Sequence, residues 1–246
     1  MPLLAIDHLC KRFGGVLAVD DVSFDVAEKS IVGPNGAGKT ALINLVTGFY
    51  AGGDGRVTLD GRELLNRPVH VVARCGVART FQNIRLFGRM TVLENVLVAR
   101  CSATRHPLLS ALVRTSAVDR AAAWSLLEMA GLQAQADVTA GALAYGDARR
   151  LEIARALAGE PRLLVMDEPA AGMNEWESEA LTRVIAGVRN RVAAILLIEH
   201  DIALVRALCD RLVVMENGRL IAQGAVGEVL ASPEVRRAYL GDGEEP

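Results

Sequence analysis

The stretch Gly33-Pro34-Asn35-Gly36-Ala37-Gly38-Lys39-Thr40 constrains this chain more than any other. It fits the pattern G-x-x-x-x-G-K-[ST], in which backbone N–H groups wrap a triphosphate and the lysine reaches its outer phosphates. Glycine suits both demands: the loop must turn through conformations closed to larger residues, and its amides must come within hydrogen-bond distance of phosphate oxygens. Leu42, Leu45 and Val46 then recur at helical spacing and Gly48 stands where a C-terminal cap would be, so the motif delivers its anion to a helix N-terminus. Lys39 is one of three lysines in a chain otherwise built with arginine.

At 246 residues and 51% hydrophobic, the chain can bury a sizeable core in one large domain or one domain with a subdomain. A net charge of -2 and a pI near 6.1 give no excess of positive charge, so nucleic acid is not an expected partner. Cys10, Cys75, Cys101 and Cys209 are scattered without a C-x-x-C pair and read as reduced thiols of a cytosolic protein, not a metal or disulfide framework. The longest apolar run, Val192 to Ile198, is far below the ~18 residues that suggest a spanning helix. Met1 to Leu9 carries acid and histidine in place of a basic start and apolar core, so no secretion leader is expected. Any membrane connection must come through a partner.

Taken in order, Leu3 to Arg12 and Val22 to Val26 read as strands punctuated by Gly14-Gly15. Arg56 to Arg62 reads as a strand running into an Asp60-Gly61 hairpin turn. Thr91-Val92-Leu93-Glu94 has capping-box spacing and opens a helix. From about Asn95 to Gly159 the pattern is helical, without a convincing strand. Leu163 to Met166 and Ala193 to Ile198 are apolar runs flanking a helical stretch from Ser178 to Arg191, the alternation of buried parallel strands with a crossover helix. Asn217-Gly218 marks a second hairpin within Arg211 to Ile221. Ser232-Pro233 opens a last helix through Tyr239, and the tail after Gly241 reads as disordered. An antiparallel N-terminal sheet beside a parallel nucleotide-binding sheet accounts for the mixture.

Leu163 to Met166 ends in Asp167 and Glu168. A carboxylate at a strand terminus can hold Mg²⁺ together with the Thr40 hydroxyl, because that ion takes a few hard oxygen ligands and leaves the rest to water and phosphate. Glu168, one residue on, can polarise an attacking water, a role worth typically ~10²–10⁴-fold. Three further pieces follow in order: Gln82 in Arg79-Thr80-Phe81-Gln82, the run Leu143-Ala144-Tyr145-Gly146-Asp147 before the amphipathic segment Ala148 to Ala158, and His200 at the end of Leu196-Leu197-Ile198-Glu199-His200.

These five motifs, with Arg12-Phe13-Gly14-Gly15 and the terminal Ala238-Tyr239-Leu240-Gly241, resemble the ATP-binding cassette (ABC) ATPases over essentially the whole chain, in particular one of the two ATPase subunits of branched-chain amino acid importers. The resemblance implies an α/β P-loop NTPase fold with a RecA-like core, an antiparallel β-subdomain and an all-helical subdomain. Residues 1–94 and 160–224 would form the core with the β-subdomain, 95–159 the helical subdomain, and 225–246 a C-terminal helix and tail. It also implies roles for residues. Phe13 would stack on adenine. Gly33, Pro34, Asn35, Gly36, Ala37, Gly38, Lys39, Thr40 and Ala41 would line the phosphates. Gln82 would contact Mg²⁺ or the attacking water, and His200 would hold the γ-phosphate. Ala144, Tyr145, Gly146 and Asp147 would face the ATP bound on the opposite subunit. Ile84, Leu86 and Phe87 would line a groove for a permease or pack in the core.

The implied assembly is a pair of ABC ATPases, identical or related, beneath two transmembrane permeases at the inner face of the membrane, served indirectly by a solute-binding protein. ATP and Mg²⁺ are the implied cofactors. The competing cargo is urea, an amide or another small solute. A soluble translation or repair ATPase would carry two cassettes or a long coiled coil, and neither is present. A degenerate regulatory cassette is opposed by intact Lys39, Asp167, Glu168 and His200.

Three departures from the family pattern carry expectations. The strand before the motif is about three residues short, with Ile31 and Val32 as its remaining apolar part, so either the chain is discontinuous within residues 28–32, the preferred reading, or the phosphate loop is displaced. Ala41 replaces a hydroxyl residue and forgoes an α-phosphate contact worth ~0.5–1.5 kcal/mol. Asp147 stands where glutamine is usual, and a carboxylate there is expected to cap its own helix and repel an approaching phosphate.

Overall fold

The computed structural model describes residues 2–27, 31–36, 38–103 and 116–240. Ala37, most of the expected break at 28–32 and the tail from Gly241 lie outside these. The chain divides into two compact units, residues 1–77 with 193–246, and residues 78–192. In chain order the elements are β1 (Leu4–Phe13), β2 (Val16–Val26), β3 (Ile31–Gly36), α1 (Lys39–Val46), β4 (Asp54–Leu59), β5 (Arg62–Glu63), α2 (Val69–Arg74) and β6 (Val77–Arg79). There follow α3 (Val92–Ala103), α4 (Ala117–Ala130), α5 (Tyr145–Leu157), β7 (Leu163–Asp167), α6 (Glu175–Val188), β8 (Ala194–Ile198), α7 (Ile202–Leu208), β9 (Arg211–Glu216), β10 (Arg219–Ala225), α8 (Val226–Ala231) and α9 (Pro233–Leu240).

In the first unit an antiparallel sheet runs β2-β1-β4-β5. Its period-two pattern places Leu4, Ile6, Val22, Phe24, Val26, Val57 and Leu59 inside, so one face of the sheet closes on the core. The alternation breaks between Ile6 and Leu9, where the register shifts and His8 and Asp21 take φ of 49° and 54°. A bulge of this kind twists the strand pair locally. β2 begins six residues before the expected Val22, because Gly14-Gly15 turns the chain tightly enough for pairing to start at Val16.

Beside this sheet lies a second strand group in which β3 runs parallel to both β8 and β9, and β10 folds back on β9 through Asn217-Gly218. Both turn residues have positive φ, 49° and 81°, as a two-residue hairpin turn of this hand requires. β8 and β9 are apolar throughout their centres, as befits strands covered on both faces.

β3 departs from expectation. Ile31 and Val32 pair with β8, yet the strand does not end there: Val32 to Gly36 pair with Arg211 to Met215 of β9. Gly33, Pro34, Asn35 and Gly36, expected in a phosphate-wrapping loop, stand in strand. A strand short of about three residues reaches full length by drawing the motif into the sheet. The turn is left to Gly38, at φ 104°, where a Cβ would lie 2.8 Å from the Ala18 carbonyl oxygen. Only glycine satisfies both that conformation and that approach.

The second unit carries the helices α3 to α6 with β7. Thr91 and Glu94 form the expected capping box, the Glu94 N–H donating to Thr91 Oγ1 and the Thr91 N–H to Glu94 Oε2. Ser116 caps α4 and Gly131 closes it in the left-handed conformation. α6 starts at Glu175, not Ser178, because Asn174 and Glu177 form a second capping box that the sequence reading passed over. Leu163 to Met166 of β7 are buried, with Asp167 at the strand's end.

Candidate functional site

In the first unit, Lys39 is the first residue of α1 and is buried, its Nζ 2.7 Å from Nε2 of His200. His200 stands two residues beyond the end of β8, so a buried apolar strand carries it to the lysine. Thr40 is exposed while Ala41 turns inward. Thus the candidate phosphate-binding lysine and the candidate γ-phosphate histidine, 161 residues apart, form one polar contact. Phe13, at the end of β1, is partly exposed, edge-on to Tyr50 at 5.2 Å, with Lys11 Nζ 5.0 Å from its ring centre. Lys11 is fixed in turn by the Ala51 and Gly52 carbonyls. An aromatic face held at a strand end next to a cation can receive a flat base. Cys209 is half-buried near Asp210 and Glu199; desolvation, then these carboxylates, push its thiol up to about 12, so it stays protonated and inert.

In the second unit, β7 presents Asp167 and Glu168. Asp167 Oδ2 accepts from Arg79 Nη2 at 2.9 Å in a largely buried ion pair. Glu168 takes φ 46°, a conformation that non-glycine residues rarely adopt and that surrounding structure must enforce. The enforcement is a turn closed by the Ala171 N–H on the Glu168 carbonyl. Gln82 Nε2 donates to Glu168 Oε2 at 2.9 Å, so two of the residues picked out in the sequence meet although 86 positions apart.

The signature segment opens α5. Ala144 is the N-cap, without a side-chain cap bond, and the Tyr145 hydroxyl donates to the Ala171 carbonyl at 3.0 Å. Gly146 packs against the Glu177 side chain, which a Cβ would approach at 3.1 Å. Asp147 corrects an expectation: it does not cap its own amides. Its carboxylate accepts from Arg150, the ion pair one turn along, and from Gln135 Nε2 at 2.7 Å, while Arg150 also donates to the Ala130 carbonyl. A charge so paired repels an approaching phosphate less than a bare carboxylate would. Of the groove candidates, Ile84 and Leu86 are half-buried and Phe87 is exposed, its ring 5.5 Å from the Arg155 guanidinium.

Sequence reasoning missed Arg149 and Glu152. Both are buried on α5 and paired at 2.7 Å, and burial raises the Glu152 carboxyl above its ordinary range, an effect opposed by Arg149. Removing one member of such a pair typically costs ~3–5 kcal/mol. The signal was present: Arg149 and Glu152 stand one turn apart among Leu151, Ile153, Ala154 and Leu157, on the apolar side of the helix, where charge is out of place. Arg79 was quoted only as part of a motif, with no hint that it would hold Asp167.

A family model described as "ABC transporter" matches residues 19–171, and one described as "Branched-chain amino acid ATP-binding cassette transporter" matches 219–245. The chain is 47% identical over 253 residues to the high-affinity branched-chain amino acid transport ATP-binding protein LivG of Salmonella typhimurium, covering 98% of each chain. It is 45% identical, at the same coverage, to BraF of Pseudomonas aeruginosa, which bears the same description. Among solved structures, an ATP-binding cassette of an ABC transporter in its ADP conformation matches with TM-score 0.86 and 32% identity over 98% of this chain and all of that one. A nucleotide-free cassette matches at 0.83 and 31%.

Proposed function

Since the chain belongs to the ABC transporter family of ATP-binding cassettes, we propose that it is the ATPase subunit that powers uptake of branched-chain amino acids through separate membrane permeases. It is an ATP-binding ATPase of the cassette fold. The observation that carries the hydrolytic reading is the Gln82–Glu168 contact, with Glu168 held in a costly backbone conformation. A carboxylate in that position takes a proton from water as the water attacks, and a neighbouring amide orients the same water. In the first unit, Lys39 neutralises charge on the outer phosphates, His200 offers them a hydrogen bond, and Phe13 stacks on the base. The names of the relatives supply the cargo.

The residues fit a Mg²⁺ ion. Thr40, Gln82 and Asp167 each carry a hard oxygen donor of the kind that ion takes, and Asp167 is paired with Arg79. Among the described residues no group of three or more His, Cys, Asp or Glu side chains is arranged to hold an ion, so phosphate and water would complete the shell. When bound, the ion spreads the charge that builds on the transferring phosphate.

Ala144 to Asp147 serve the nucleotide of a second cassette, in a dimer that ATP closes and hydrolysis opens. No helix among the described residues is long and apolar enough to cross a membrane, so the permeases supply the path and this subunit docks at their inner face, with Ile84, Leu86 and Phe87 as contacts. Residues 95–159 act as the helical subdomain. A second reading, a cassette that binds nucleotide weakly and regulates a partner, is favoured by the motif residues 33–36 lying in the ladder with β9.

Reconstitution separates the cargoes. Vesicles bearing this subunit with its permeases and binding protein should take up leucine when ATP is supplied on the ATPase side. Uptake of urea or an amide with no leucine uptake would overturn the amino acid assignment.

A further inference from the structure

We infer that Arg149 is a positioning residue for the Gln82–Glu168 pair, with Glu152 and Tyr145 as its supports. This rests on the reading of that pair as the water-handling group. Arg149 is fully buried on α5, and two of its four side-chain bonds go to the segment that bears Gln82. Nη1 donates to the Phe81 carbonyl and to Glu152; Nη2 donates to the Gln82 carbonyl at 2.7 Å and to the Tyr145 hydroxyl at 3.1 Å. Glu152 completes the grip by accepting from the Phe81 N–H at 3.3 Å. The 81–82 backbone is therefore held at two carbonyls and one amide by a pair of residues one turn apart on a single helix.

The other member of the water-handling pair is tied to the same guanidinium. Tyr145, which accepts from Arg149, donates to the carbonyl of Ala171, and the Ala171 N–H closes the turn that imposes the unusual φ on Glu168. Gln82 is exposed, and an exposed glutamine on a free backbone would sample many orientations. Anchoring the backbone on one side and the Glu168 turn on the other leaves the amide a short range in which to meet the carboxylate. A buried ion pair whose sole task was packing would need Glu152 and no more. Here the guanidinium satisfies two loop carbonyls that lie outside its own helix. Because Tyr145 also opens the signature segment, the same clasp ties that segment to the hydrolytic pair within one unit.

A double-mutant cycle tests this in the complex assembled with its permeases, reading kcat and KM for ATP. Arg149→Lys keeps the charge beside Glu152 but loses the fork. It should lower kcat about tenfold, as a small misplacement of a reacting group does, with KM within about twofold. In a Gln82→Ala background the same change should cost nothing further. Independent, additive losses, or a raised KM with unchanged kcat, would overturn the inference. Should Arg149→Lys fail to fold, Tyr145→Phe substitutes for it, since the side chain is 44% exposed and its loss leaves the ion pair intact. A drop of about two- to threefold that vanishes in the Gln82→Ala background supports the clasp, and an equal drop in both backgrounds overturns it. Glu168→Gln, run alongside, separates the two levels. If it abolishes hydrolysis while the cycle is additive, only the clasp falls; if it leaves hydrolysis intact, the water-handling reading falls and takes the clasp with it.

Discussion

In the first unit the candidate phosphate motif is held through its backbone, in a parallel ladder between Val32–Gly36 and Arg211–Met215, whereas in the second unit the proposed hydrolytic and signature residues are held by side chains, above all buried Arg149 and Glu152. The two constructions fail differently. A backbone ladder answers to chain length: remove three residues from a strand and the next ones are drawn in. A side-chain network answers to identity: remove the Arg149 guanidinium and two carbonyls lose their donor at once. Nucleotide binding in this chain should therefore depend on strand length before the motif, and turnover on particular side chains far from it in sequence.

The largest effect is expected in the second unit. Glu168→Gln should lower the ATPase rate of the assembled complex by ~10²–10⁴-fold with ATP binding retained, measured by phosphate release and by nucleotide titration of the same preparation. Loss of binding in step with turnover would erase the distinction drawn between the units.

Strand length comes next. Inserting three apolar residues between Ser30 and Ile31 should free Gly33 to Gly36 from β9 and tighten ATP binding about tenfold, the equivalent of one or two recovered hydrogen bonds. Along a parallel strand successive amides face opposite neighbours, so in the chain as it stands those pointing away from β9 beyond Val32 are the ones left for a phosphate. An unchanged dissociation constant would mean that the ladder does not limit binding.

The smallest effect concerns Asp147. Because Arg150 and Gln135 already hold its carboxylate, Asp147→Gln should change the ATPase rate of the complex by less than about threefold. A rise well beyond that would show the carboxylate repelling the partner's nucleotide, as the sequence alone suggested.

Much of this architecture was legible beforehand, and the reasons are local. The Asp60-Gly61 and Asn217-Gly218 turns, the Thr91–Glu94 box and the apolar runs of β7 and β8 each encode their structure within a few residues. Lys39 lies against His200 and Gln82 against Glu168, pairings that the motif order by itself did not state. What escaped was non-local. Drawing Gly33–Gly36 into strand depends on where β9 lies, which no window around the motif records. Asp147 reads as a helix-capping acid until Gln135 and Arg150 are seen beside it, and the Arg79–Asp167 pair spans 88 positions. Short elements such as α2 and β6 have too few residues to show a period.

Equilibrium titration of the purified full chain with Mg·ATP, alongside Lys39→Ala, tests the central claim most directly. One saturable nucleotide per chain, lost or weakened at least tenfold in Lys39→Ala, is the predicted result. No saturable binding at millimolar ATP, or binding indifferent to Lys39, would contradict the account.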